Sequence, residues 1–376
     1  MTTVSERQGT RERVLVAMSG GVDSSVAAAL LVEQGYDVVG VTMKLFCHGD
    51  DLPDRPCCSL DSVNDARRVC VGLGIPHYVA NMESAFGRDV VDDFVAEYAR
   101  GRTPIPCVRC NTFTKFRDLV RTADNLEARW VATGHYARMA DGALRRGLDP
   151  AKDQSYFLWG IPRAVLSRLL LPVGGQTKPE TRAVAHRLGL EVVAEKVESQ
   201  DICFVPDGDH ATVIAARLGA DAPALARGPI VLADGRVVGE HQGYARYTIG
   251  QRKGLPGGFA DPMFVVAIRP ESRAVVIGPR EALLGRGLVA REVNWLVEPA
   301  PRVGEPVAVQ IRHRARPVPA TLIRSERDEI ELALDEPASA ITPGQSVVLY
   351  AGDVVLGGGI IERAAGARGA LPVLAA

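Results

Sequence analysis

The run AMSGGVDSS at Ala17–Ser25 constrains the chain more than any other stretch. It lies between an apolar strand-like segment, Val14–Ala17, and a helix-like segment, Val26–Glu33. Strand, glycine turn and helix start together make an anion cradle. Gly20 and Gly21 let backbone N–H groups close on oxygens, and Ser19, Ser24 and Ser25 add hydroxyls. The helix N-terminus adds its dipole and its unpaired N–H groups. The turn holds no Lys, which separates it from the GxxxxGK[ST] phosphate loop. Such a cradle suits a pyrophosphate that departs better than a γ-phosphoryl that is transferred. An ordinary Ser/Gly helix cap is the competing reading, and the position directly after a strand weighs against it.

A chain of 376 residues has room for two or three domains, and a hydrophobic share of 47% supports sizeable cores. The formal net charge is −1, so any grip on nucleic acid must come from local basic patches. The first residues, MTTVSERQGTRERV, lack the apolar stretch of a signal peptide, and no apolar run reaches membrane-spanning length. The expected compartment is the cytoplasm, with no membrane partner. Seven Cys in a chain this long are thiols, ligands or catalysts there rather than a disulfide scaffold.

The first part alternates strands with helices. Arg13–Ala17, Val38–Met43, His77–Asn81 and Trp130–Thr133 read as strands; Ser24–Gln34, Ser62–Leu73, Phe86–Ala99 and Asn111–Thr122 read as helices. This predicts an α/β fold with a parallel sheet covered on both faces, and ligands at the carboxyl ends of its strands. Near residue 205 the pattern changes to short β-branched runs with turn residues, including the hairpin signal Asp234-Gly235. From about Leu288 regularly spaced strands predict a small β-barrel.

GRTPIPCVRCN at Gly101–Asn111 is the second strong feature. Prolines stiffen a loop that delivers Cys107 and Cys110 to a helix start beside Arg109, two features that favour a thiolate. Cys203 lies in ESQDICFVP. Cys70 sits on an apolar helix face and reads as core. Cys47 is uninformative, and Cys57 and Cys58 in a polar loop read equally as metal-binding, structural or incidental. A lone CxxC is weak evidence for zinc, since no second Cys or His pair stands at finger spacing.

With these residues assembled, the chain resembles the tRNA-specific 2-thiouridylases of the PP-loop pyrophosphatase superfamily. AMSGGVDSS belongs to the superfamily as a whole. GRTPIPCVRCN, KDQSYFL and SQDICFVP point to the one family, with VTMKLF, CCSLDSVNDARRV, ATGHYAR, TKPETR and YTIGQRKGL in support. The resemblance implies a PP-loop domain over 1–205, a small central domain over 206–285 and a C-terminal tRNA-binding β-barrel over 286–376. It implies that Mg²⁺ and ATP adenylate the C2 oxygen of the anticodon wobble uridine, which a protein persulfide then replaces with sulfur. Ala17, Met18, Ser19, Gly20, Gly21, Val22, Asp23, Ser24, Met43 and Gly134 would bind ATP, with Asp23 holding Mg²⁺ or capping the helix. Cys110 takes the nucleophile position and Cys203 the persulfide position, fed by a cysteine desulfurase or a sulfur-relay protein, and a transient Cys110–Cys203 disulfide would follow. Direct attack by the persulfide on C2 stays open.

Two departures stand out. Ile105 replaces an Asn that many members place before Pro106 in the target-base loop, and some members carry Asp in place of Cys107. Three thiols, Cys107, Cys110 and Cys203, keep a three-Cys [4Fe–4S] cluster as an alternative. The tRNA contacts implied are His135, Lys152, Asp153, Gln154, Arg312, His313 and Gln345. Arg100, Arg102, Arg109, Lys115, Arg117 and Arg121 read as a basic patch, and alternation in IRHRARP places Arg312, Arg314 and Arg316 on one strand face. Competing functions are a PP-loop synthetase acting on a small molecule, which would need neither Cys110 nor Cys203, and a non-catalytic RNA-binding protein, which would leave the cradle unused.

Overall fold

The computed structural model describes residues 11–46, 60–196, 202–205 and 208–365. Cys47, Cys57 and Cys58, and the Ala/Gly-rich end beyond 365, lie outside the described residues.

Five strands, β1 (Arg13–Ala17), β2 (Asp37–Lys44), β3 (His77–Asn81), β4 (Trp130–Ala132) and β7 (Leu169–Leu170), form a sheet of order β3-β2-β1-β4-β7 in which every pairing is parallel. Its faces are read from the two-residue period of β1. Val14 and Val16 point to a core with Val26, Ala27, Val69 and Cys70 from the helices α1 (Val22–Glu33) and α2 (Leu60–Gly72). Leu15 points to the other core, with Val41, Phe116, Leu119 and Val131. Burial pushes the Cys70 thiol up to about 11, so it packs as an apolar group. From β1 the chain moves to β2 and β3 on one side, then returns to β4 on the other. The crevice between β1 and β4 is therefore the switch point where such sheets bind ligands.

Two all-β units follow. β8 (Gly228–Leu232), β9 (Val237–His241), β10 (Phe264–Arg269) and β11 (Ala274–Gly278) form a sheet of order β10-β11-β8-β9, with Asp234-Gly235 in the turn joining β8 to β9. Six strands, β12 (Leu284–Trp295), β13 (Pro306–Gln310), β14 (Val318–Ser325), β15 (Glu329–Ser339), β16 (Ser346–Ala351) and β17 (Val354–Ala365), close into a barrel through the β12–β17 pairing. The hairpin β5 (Ala137–Ala140) and β6 (Ala143–Arg146) leaves the first unit and adds to the barrel sheet beside β17.

Two expectations need correction. β13 ends at Gln310, and Arg314 has φ +63°, so residues 311–317 form a turn and Arg312, Arg314 and Arg316 share no strand face. The helix expected over Asn111–Thr122 starts earlier, with Pro106 in its first turn, where its missing N–H costs nothing. It runs to Asn125 and widens to a π-helix over Cys110–Phe116. Among the described residues no helix is long and apolar enough to cross a membrane.

Candidate active site

The cradle is built at the carboxyl end of β1. Gly20 has φ +71°, and a Cβ there would fall 2.2 Å from the Ser62 carbonyl oxygen, so α2 packs directly on the turn. Gly21, in extended conformation, caps α1 without a side chain. Ser24 Oγ lies 3.1 Å from both the Ser19 N–H and the Ser19 hydroxyl and donates to the Gly21 carbonyl at 3.2 Å. Val22 turns away into the core. Gly134 follows β4, and a Cβ there would lie 2.5 Å from the Ser24 nitrogen, which only glycine avoids.

Two lysines reach this turn from elsewhere. Lys178 Nζ donates to Asp23 Oδ1 at 2.7 Å, and the Tyr136 hydroxyl donates to the same oxygen at 2.8 Å. Lys196 Nζ donates to the Gly20 carbonyl at 3.1 Å and to Asp65 at 2.8 Å. Asp23 thus holds a lysine rather than capping the helix.

A cavity of about 330 Å³ opens from the cradle. Ala17, Met18, Ser19, Asp23, Ser24, Met43, Gly134, His135 and Gln154 line it together with Pro106, Cys107, Cys110 and Cys203. Cysteines 93 residues apart in sequence (203 minus 110) therefore face one space. Cys110 is buried, Cys203 half-buried and Cys107 exposed. Leu45, Phe86, Val90 and Phe204 supply an apolar wall. Phe204 fixes the Cys203 segment by edge-to-face contacts with Phe86 and Phe94, with ring centroids 5.5 and 5.1 Å apart. Lys115 lines the cavity as well; the π-helix pairs residues five apart, which stacks position 115 over position 110. The His135 ring lies 2.8 Å from the Thr133 hydroxyl through Nδ1, and burial, then the charge of Lys115, pushes it down to about 3.

Arg109 is engaged by carboxylates. Its guanidinium is forked on Glu292 at 2.5 and 2.8 Å and held by Asp93 at 3.1 Å. The expected basic patch is largely neutralised in the same way: Arg100 pairs with Glu97, Arg102 with Glu97 and Glu362, Arg117 with Asp89, and Arg121 with Asp118.

The remaining expected contacts divide. Gln154 lies in the cavity and accepts the Tyr136 N–H through its side chain. Asp153 spends its carboxylate on Gly147 N, Ser155 N, Ser155 Oγ and Arg146, and Lys152 sits half-buried in the preceding turn. Ile105 is partly buried and packs against the core. His313 packs on Phe157, with centroids 4.4 Å apart. Arg312 donates to the carbonyls of Ile249 and Ala340 and to Thr342, tying barrel to central unit. Gln345 donates to the Thr103 carbonyl at 2.8 Å, on the loop that carries the cysteines.

Family models match three segments: a tRNA methyl transferase HUP domain over residues 12–207, a tRNA methyl transferase PRC-barrel domain over 220–279, and an aminomethyltransferase β-barrel domain over 285–361. A protein of Geobacter metallireducens named tRNA-specific 2-thiouridylase MnmA is 49% identical, over 94% of this chain and 98% of its own. One of the same name from Rhodospirillum centenum is 50% identical, over 94% of this chain and 92% of its own. The chain belongs to the tRNA-specific 2-thiouridylase family. A solved 4-thiouridine synthetase–RNA complex with bound ATP is similar over 56% of this chain and 51% of that one, at 16% identity and a TM-score of 0.34.

For this 2-thiouridylase family member, three residues of the site escape sequence reasoning. Lys178 follows Asp23 by 155 positions and Lys196 follows Gly20 by 176, so no local pattern links them to the cradle. Lys115 reads as a surface cation until the π-helix turns it inward. The capping box at Thr177–Glu180 was the available signal that Lys178 opens a helix at a fixed place.

Proposed function

We propose that this chain is a tRNA-uridine 2-sulfurtransferase that replaces the C2 oxygen of the anticodon wobble uridine with sulfur at the expense of ATP. The observation that carries the reading is one cavity lined both by the cradle residues and by Cys110 and Cys203. The family descriptions speak of methyl transfer and the relatives' names of thiolation; paired thiols beside a phosphate cradle are the equipment of thiolation. In the proposed reaction the wobble base flips out of its stack to enter the cavity. Its C2 oxygen attacks the α-phosphorus of Mg²⁺-bound ATP, the bond to the bridging oxygen breaks, and pyrophosphate leaves with that electron pair through Ser19–Ser24. The N3 proton departs as the oxygen is esterified.

Sulfur arrives as a persulfide on Cys203 from a cysteine desulfurase or a relay protein. The Cys110 thiolate attacks Cys203 Sγ, forming the Cys110–Cys203 disulfide and expelling hydrosulfide. Hydrosulfide adds to C2, and the C2–O bond breaks as AMP leaves. A thiol reductant then reopens the disulfide. The apolar wall of Leu45, Phe86, Val90 and Phe204 keeps water from competing for the activated carbon. A [4Fe–4S] cluster held by Cys107, Cys110 and Cys203 is the alternative to the persulfide route.

We read the chain as three domains, 1–205, 206–285 and 286–376, acting on tRNA in the cytoplasm; the three family matches support that division. The test is nucleoside mass spectrometry of tRNA from cells lacking the protein and complemented with variants. The wild type restores 2-thiouridine derivatives, Cys110→Ser and Cys203→Ser do not, and Cys70→Ser does. Undiminished 2-thiouridine in the deletion strain sinks the reading.

A further inference from the structure

A departing pyrophosphate is multiply charged, and the cradle itself carries no cation. Backbone N–H groups and a helix end contribute about half an elementary charge. Lys178 is placed to supply the rest. Its side chain is only 9% exposed, yet its ammonium sits 2.7 Å from Asp23, a residue that lines the cavity beside Ser24. Burying an ammonium is costly unless its partners are well placed, and several contacts fix this one. The capping box of Thr177 and Glu180 sets the start of its helix, its own N–H is held by Asp149 at 3.1 Å, and Nζ stands 5.6 Å from the centroid of the Tyr136 ring. Lys196 differs. Its three acceptors, the Gly20 carbonyl, Ser62 and Asp65, lie on the α2 side of the turn, and none of them lines the cavity.

We propose that Lys178 is the pyrophosphate-binding cation of this site, resting on Asp23 and moving to the β- and γ-phosphate oxygens when Mg²⁺-ATP arrives and the metal takes the Asp23 carboxylate. Lys196 acts as a brace that keeps the turn in shape. The proposal rests on the reading that ATP is split between its α- and β-phosphates. It does not depend on what accepts the AMP.

Calorimetric titration of the whole protein with magnesium pyrophosphate and, separately, with AMP tests it. Lys178→Met should lose at least about tenfold in pyrophosphate affinity while AMP affinity stays within about twofold, and Lys178→Arg should retain most of the former. Unchanged pyrophosphate affinity, or an equal loss for both ligands, overturns the proposal, the second result marking a purely structural lysine. Should Lys178→Met fail to fold, Asp23→Asn decides. Freed of its resting partner, Lys178 should bind magnesium-free pyrophosphate several-fold more tightly, and no gain in a protein that binds AMP normally overturns the proposal. Because neither titration involves tRNA, this result and the tRNA mass spectrometry can fail independently.

Discussion

Gly134 and His135 sit side by side after β4 and illustrate two kinds of constraint at the scale of one residue. Gly134 is fixed by space: its absent Cβ leaves room for the Ser24 nitrogen. Gly134→Ala should separate β4 from the first turn of α1, costing about 1–3 kcal/mol of stability and weakening ATP binding, both measurable by thermal denaturation with and without nucleotide. His135 is fixed by charge. Its folded value is pushed down to about 3, below the ordinary value near 6.5 of the unfolded chain. As pH falls below about 6.5 the unfolded state takes a proton that the folded state refuses, so stability is full above that pH and drops below it. His135→Gln should remove up to about 1.4 kcal/mol per pH unit from that slope, read by urea denaturation between pH 6.5 and 5; an unchanged slope refutes the assignment. The sequence marks His135 as functional by its place at a strand end, but its neutrality depends on burial and on Lys115, which only the fold brings near.

At the scale of elements, β1 coincides with its sequence expectation, because an apolar alternation bounded by a glycine turn leaves few choices. The helix carrying Cys110 is legible in kind but not in start or pitch. Pro106 was the start signal, whereas a π-helix has no sequence pattern comparable to the 3.6-residue period. The IRHRARP segment fails for a physical reason: Arg314 adopts φ +63° and breaks the extended run. The consequence is a division of labour among its arginines. Arg312 is bonded to Ile249, Ala340 and Thr342, whereas Arg314 and Arg316 are exposed and have no ion pair among the described residues. Arg314→Ala and Arg316→Ala should each lower the salt slope of tRNA binding by about one, as loss of a phosphate contact does. Arg312→Ala should lower the melting temperature instead. Equal salt slopes in all three variants and the wild type would remove this turn from the RNA interface.

Across the whole molecule, the loop Gly101–Ile105 is where the three units meet. Arg102 bridges Glu97 to Glu362 of β17, the Thr103 N–H donates to the Pro343 carbonyl, and the Tyr244 hydroxyl of the central unit donates to the Ala99 carbonyl just before the loop. Gln345 closes the clasp from a position 242 residues away in sequence. Such separation is why the clasp is illegible in the chain: the resemblance casts Gln345 as a tRNA contact, and nothing local says that it holds the loop that carries Cys107 and Cys110. The barrel therefore does more than offer a surface, since it fixes the backbone from which Cys107 and Cys110 are presented. The cradle, in contrast, is built within the first unit from β1, β4, α1 and α2, and the two lysines that bond to it belong to that unit as well. The two halves of the site should then separate in a variant. Gln345→Ala should slow single-turnover thiolation by an order of magnitude or more, on the order of 1.4 kcal/mol or above in the barrier, while ATP affinity stays within about twofold. Loss of ATP affinity in step with thiolation would show instead that the barrel clasp supports the cradle itself.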